Sequence, residues 1–243
     1  MGEIAVASDH VRFAYDETAV LRGVSFEVGS GQFVGLIGPN GCGKSTVMRL
    51  MLGLMEPTAG QMTVLGGSPL EAVRRGEVGY VPQRDTFHRN FPLTVLDVVL
   101  MGRAGRVGIG RRPCRHDYEQ APLALERLGM SGWEKRRFGA LSGGQQRLVL
   151  LARALGQEPR LLLMDEADTG LDELRRERIY RELSRIRHET GLTIVAISHQ
   201  LDLLATVVDT AIALRDGVSV DWCPTCMHHA VADRQPAHLG PVS

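Results

Sequence analysis

Phe33-Val34-Gly35-Leu36-Ile37-Gly38-Pro39-Asn40-Gly41-Cys42-Gly43-Lys44-Ser45 is the stretch on which the fold turns. Its first five residues form an uninterrupted apolar or small run, as expected of a strand buried on both faces of a parallel sheet. The glycines that follow break that strand and let the backbone turn its N–H groups toward a common point. A helix predicted from Lys44 to about Leu54 adds the partial positive charge of its N-terminus to the same point. The spacing fits G-x-x-x-x-G-K-S/T between a strand and a helix, the context in which this pattern holds phosphates. Gly38, Pro39, Asn40, Gly41, Cys42, Gly43, Lys44, Ser45 and Thr46 are therefore candidate phosphate-binding residues. Lys44 supplies charge, and the Ser45 hydroxyl is a hard oxygen ligand suited to Mg²⁺.

On the N-terminal side, Val11 to Val28 alternates apolar with polar or small residues. The breaks at Asp16-Glu17 and Gly23 predict antiparallel strands joined by turns. On the C-terminal side, Val78 to Val81, Leu161 to Met164 and Thr193 to Ile197 are short apolar runs that predict further buried strands. From Leu93 to about Leu155 apolar residues recur every three or four positions, the helical period. Gly102 to Pro113 is too rich in glycine to continue a helix and is expected to be an exposed loop. Leu174 to His188 predicts a crossover helix. The fold class is thus α/β, with a mostly parallel sheet, an N-terminal antiparallel β region and an inserted helical subdomain. We expect one domain over 1–220, with its core at 1–90 and 157–220, a helical subdomain at about 91–156, and a loose tail at 221–243.

The run Leu161-Leu162-Leu163-Met164 ends in Asp165-Glu166, two carboxylates at the C-terminal end of a strand, where ligands sit in open parallel sheets. Read alone, such a pair also serves as a helix cap. Beside a phosphate loop, Asp165 suits the Mg²⁺ shell and Glu166 suits an attacking water, because phosphoryl transfer depends on positioning and charge stabilisation. Composition narrows the partners. Acidic and basic residues balance at 28 each in 243 residues, so no whole-chain field favours nucleic acid. The apolar runs are far shorter than the roughly 18 residues of a membrane span, and the first residues lack the pattern of a signal peptide. The chain is expected to stay in the cytosol, with reduced thiols.

Leu141-Ser142-Gly143-Gly144-Gln145-Gln146-Arg147 resembles the signature of ATP-binding cassette (ABC) proteins. Ser142 and Gly144 open a predicted helix, a second anion site made of a hydroxyl, bare N–H groups and a helix dipole. The resemblance implies that Ser142, Gly143, Gly144 and Gln145 of one copy close over the γ-phosphate of ATP held by another. That arrangement is a two-fold dimer with an isologous interface and two ATP sites. It also implies that Tyr15 stacks on adenine, that Gln83 meets Mg²⁺ and the attacking water, that His199 contacts the γ-phosphate, and that Asp172 crosses the dimer interface. Lys44, Gln83, Glu166 and His199 are then the catalytic set, with Ser45, Gln83 and Asp165 as Mg²⁺ ligands. Singly, a tyrosine or histidine also serves simply as a structural residue. One departure stands out: the family usually follows the catalytic glutamate with proline and a small residue, and this chain has Ala167-Asp168.

The segments Tyr80 to Arg84, Phe91 to Val99 and Met101 to Arg103 are similar to those of ATPase subunits of manganese, zinc or iron importers. The implied partners are a second copy, an integral membrane permease and, indirectly, an extracellular metal-binding protein, with no nucleic acid. The implied location is the cytoplasmic face of the membrane. Alternatives are an ABC ATPase for another solute such as a siderophore, and a soluble ABC protein without a permease. Cys223, Cys226, His228 and His229 offer thiols and imidazoles that suit Zn²⁺, although a closed zinc site separates its ligand pairs more widely.

Overall fold

In the computed structural model, described for residues 2–83, 92–108, 112–198 and 201–220, nine strands form one curled sheet in the order β4-β1-β2-β9-β8-β3-β7-β6-β5. The strands are β1 (Ile4–Tyr15), β2 (Thr18–Gly29), β3 (Phe33–Ile37), β4 (Ala59–Val64), β5 (Val78–Val81), β6 (Leu161–Asp165), β7 (Thr193–Ile197), β8 (Thr210–Arg215) and β9 (Val218–Val220). Strands β3, β7, β6 and β5 run parallel as adjacent neighbours, while β1 pairs antiparallel with both β2 and β4. The helices are α1 (Lys44–Met51), α2 (Pro69–Arg74), α3 (Val95–Gly102), α4 (Ala104–Val107), α5 (Arg115–Arg127), α6 (Gly143–Gly156), α7 (Glu173–Thr190) and α8 (Leu201–Ala205).

The central strands are continuously apolar because each face meets its own core. Phe33 and Ile37 join Leu162, Met164, Ile194 and Ala196 in a core with α3, α5, α6 and α7. Val34 and Leu36 join Leu161, Leu163, Val195 and Ile197 in a core with α1 and the antiparallel strands. Side chains alternate across a strand, so a strand covered on both sides confines polar residues to its ends, as with Thr193 and Asp165. Each such Val, Leu or Ile contributes about 1.5–3 kcal/mol by leaving water. Helix α7 buries Ile179, Tyr180, Leu183 and Ile186, one stripe at helical spacing.

The turn at Asp16-Glu17 joins β1 and β2 as expected, but Gly23 does not end a strand. Strand β2 runs through it, and Gly23 pairs with Val218 of β9. Its φ of 138° is one that glycine adopts freely, so the strand passes through it without ending. The stretch 102–113 also departs from a plain exposed loop. It contains α4, and Arg103 is only 3% exposed. Its guanidinium donates to the carboxylate of Asp117, to the Gly156 carbonyl and, at 3.0 Å, to Glu158 Oε2. Burial acts to raise the Asp117 carboxyl, yet hydrogen bonds from Arg103 and the Cys114 backbone hold it below the usual carboxylate range. Three bonds from one planar fork let a buried arginine hold this glycine-rich stretch against its neighbours. Among the described residues no helix is long and apolar enough to cross a membrane.

Candidate functional site

The topology gathers the candidates. The carboxyl ends of β3, β7, β6 and β5 lie side by side, so the loops leaving them share one edge of the sheet. The glycine loop follows β3, Ser198 follows β7, Asp165-Glu166 ends β6, and Gln83 lies two residues beyond β5. A cavity of about 500 Å³ sits at the opposite ends of these strands, lined by Glu3, Arg160 and Thr193. It contains none of the candidate residues.

In the glycine loop, Gly38 has φ of 146° and Gly43 has φ of 105°. A Cβ on Gly38 would overlap the Leu214 carbonyl, and one on Gly43 would strike the Leu21 side chain. These two glycines therefore answer both a backbone and a packing demand. Pro39, Asn40 and Gly41 are exposed, whereas Cys42, Lys44 and Thr46 are buried and Ser45 is half-buried. Lys44, 9% exposed, curls over the loop, its Nζ donating to the Gly38 and Pro39 carbonyls at 2.8 Å each. Burial pushes the Cys42 thiol up, against the opposing pull of Lys44. Tyr15 lies at the end of β1, its ring edge-on to Phe13 at 4.9 Å. Its hydroxyl accepts from Arg49 of α1 at 2.9 Å, tying it to the helix that the loop begins.

Glu166 and Gln83 meet directly. Gln83 Nε2 donates to Glu166 Oε2 at 2.5 Å. Glu166 holds φ of 50°, a left-handed conformation costly for a residue with a Cβ. Its N–H donates to the Ile197 carbonyl at 3.0 Å, and its own carbonyl accepts from Thr169 at 3.2 Å. The Ser45 hydroxyl, the Gln83 amide oxygen and the Asp165 carboxylate, at one edge of the sheet, are all hard oxygens and fit Mg²⁺.

Ser142 caps α6: its hydroxyl accepts from Gln145 N at 3.4 Å, and Gln145 Oε1 accepts from Ser142 N at 3.0 Å. Gly143 and Gly144 open the helix, and a Cβ on Gly144 would press on Leu171 at 3.2 Å. Among the described residues no hydrogen bond or ion pair joins 142–145 to the phosphate loop of the same chain. Asp172 caps α7, accepting from Arg175 N at 2.9 Å. His199, Cys223, Cys226, His228 and His229 lie outside the described residues. Among those described, no group of His, Cys, Asp and Glu is arranged as a metal site.

Two side-chain arrangements have no counterpart in the sequence reading. Asp168 lies buried against Ser198 and Tyr180. Arg147 of α6 donates to the carbonyls of Gln83, of Pro82 at 3.2 Å and of Glu166 at 3.4 Å. It thereby ties α6 to the loops that carry Gln83 and Glu166. Its place at the end of the signature was visible, but its three acceptors come from distant positions. Replacing Arg147 by Ala is expected to cost about 1–3 kcal/mol, the range for losing hydrogen bonds from a charged group. Replacement by Lys should restore little, because an ammonium lacks the planar fork. Urea unfolding of both variants checks this.

The ABC transporter family matches residues 21–169. The manganese transport system ATP-binding protein MntB of Bacillus subtilis is 40% identical over 209 residues, covering 86% of this chain and 82% of the relative. The zinc uptake system ATP-binding protein ZurA of Listeria monocytogenes is 33% identical over 228 residues, covering 93% and 89%. A metal-chelate type ABC transporter solved in an inward-facing conformation superposes with a TM-score of 0.78 at 31% identity, covering 90% of this chain and 82% of that one. A dimeric bacterial ABC transporter cassette superposes with a TM-score of 0.78 at 26% identity, covering 89% and 97%. With its phosphate loop, paired carboxylates and signature helix on this fold, the chain belongs to the ABC transporter family as an ATP-binding cassette, an ATPase.

Proposed function

We propose that this cassette energises the import of a transition metal cation such as manganese, zinc or iron. It does so as a two-fold dimer on the cytoplasmic face of a membrane permease, supplied from outside by a metal-binding protein. The similarity to manganese and zinc system subunits over most of both chains supports the cargo class.

The observation that carries the dimer is the separation of the two anion-binding elements. The glycine loop and Lys44 follow β3, while among the described residues the Ser142 helix start makes no bond to that loop. A second copy brings the missing half, and a solved ABC transporter cassette that this fold resembles is dimeric. Within the site, Lys44 exchanges its loop carbonyls for the β and γ phosphates. Ser45, Gln83 and Asp165 hold Mg²⁺, which when bound offsets charge on the phosphate oxygens. Glu166 orients the attacking water and takes its proton, and Gln83 holds the Glu166 carboxylate in place at 2.5 Å. His199 would contact the γ-phosphate, Tyr15 the adenine, and Asp172 the partner's interface. Closure on MgATP and reopening after hydrolysis pass to the permease as a conformational switch.

Radiolabelled manganese, zinc and iron uptake, compared between cells with the gene and cells carrying only a Lys44→Ala copy, tests the cargo. Loss of uptake of one of these metals is expected. Unchanged uptake of all three would overturn the metal assignment and leave another solute or a soluble role.

A further inference from the structure

Asp168 lies two residues after Glu166, next to the Ala167 that stands in place of the usual proline, and is 4% exposed. A carboxylate taken out of water persists only when its oxygens are satisfied. Here a single oxygen gathers the partners. Oδ2 accepts from Ser198 Oγ at 2.6 Å and from the Tyr180 hydroxyl at 3.1 Å, with Arg176 Nε at 3.9 Å. Burial, and then the charge of Asp168, push the Tyr180 hydroxyl far up, so it stays a donor. Arg176 also reaches the dimer-facing loop, its Nη2 donating to the Leu171 carbonyl at 2.7 Å. Leu171 N in turn donates to the Asp168 carbonyl at 3.3 Å. One side chain thus joins the end of β7, the loop from Glu166 to Asp172, and the buried face of α7.

We propose that Asp168 is a positioning residue for catalysis. Its Oδ2 pins the loop from Glu166 to Asp172 to Ser198 and Tyr180, and so fixes the Glu166 carboxylate where a proline would otherwise stiffen the chain. Alanine at 167 leaves φ free there. Glu166 sits at φ of 50°, a conformation that persists only when its surroundings over-determine it. Thr169 N bonds back to the Glu166 carbonyl, so the anchor at 168 lies within the turn that holds the carboxylate. The inference rests on the ATPase reading of Glu166.

The test uses the purified full-length chain, with kcat and KM for MgATP, the dissociation constant of a fluorescent ATP analogue, and the melting temperature. In Asp168→Ala, kcat per folded molecule should fall about tenfold or more, as small misplacement of a catalytic group does. Analogue affinity should stay within about twofold, because the phosphate loop is untouched. Asp168→Asn keeps an acceptor at the Oδ2 position and should recover kcat to within about threefold of the parent. If Asp168→Ala does not fold, Ser198→Ala removes the 2.6 Å bond to Oδ2 while leaving the carboxylate in place, and should still lower kcat several-fold at unchanged affinity. Parental kcat per folded molecule in the alanine variants, with only a lower melting temperature, would overturn the positioning role. So would an Asp168→Asn loss equal to that of Asp168→Ala. A parent chain that hydrolyses no MgATP would instead refute the ATPase reading, and the two failures are distinguishable.

Discussion

Glu166→Gln is expected to lower the ATPase kcat by about two to four orders of magnitude, the range for removing a general base. ATP binding should survive, because the glycine loop and Lys44 are untouched. The amide cannot take the proton of the attacking water, but it fills the same volume beside Gln83. Two amides then face each other across the 2.5 Å contact, which one of them can still bridge as donor. With hydrolysis blocked and MgATP bound, the two-fold dimer should accumulate, visible by size-exclusion chromatography with MgATP and absent without nucleotide. A variant hydrolysing at the parental rate would remove Glu166 from its role. A variant that stays monomeric would remove the shared site.

Lys44→Ala should lower kcat/KM by about three orders of magnitude or more, and here affinity falls too. Its ammonium now lies over the loop, held by two carbonyls at 2.8 Å, with 9% of its surface in water. When phosphate takes the place of those carbonyls, a partly buried charge meets a full negative charge in a region of low dielectric, where such contacts are strongest. Alanine removes that charge and leaves the Gly38 and Pro39 carbonyls without their donor. Isothermal titration with ATP separates the two effects: weakened binding is expected alongside lost turnover, in contrast to Glu166→Gln.

The parts of this fold legible in the sequence are those whose neighbours demand one residue type throughout. Strands β3, β5, β6 and β7 announce themselves because both faces are covered. Strand β4 does not, since only Met62 and Val64 of its six residues are buried and its first three, Ala59, Gly60 and Gln61, are exposed. The short α4 is hidden by its glycines and depends on the Arg103 cluster, whose partners stand 14 to 55 positions away. The same contrast holds at the site. A phosphate loop and a signature are contiguous, so their spacing is readable. The roles of Asp168 and Arg147 arise where strands distant in sequence end together, and a lone Asp or Arg carries no mark of that. Asp168 was visible only as a departure from a proline-containing loop, which indicated that the local backbone was differently held but not by what.

The Arg103 cluster has a mechanical corollary. By gripping Asp117 of α5, the last residue of α6 and Glu158 from one point, it keeps the far ends of these helices from sliding past one another. The grip falls at the C-terminal end of α6, 14 residues along from the Ser142 cap, so that end cannot shift against α5 without breaking these bonds. The buried guanidinium is in that sense a rivet between the two helices.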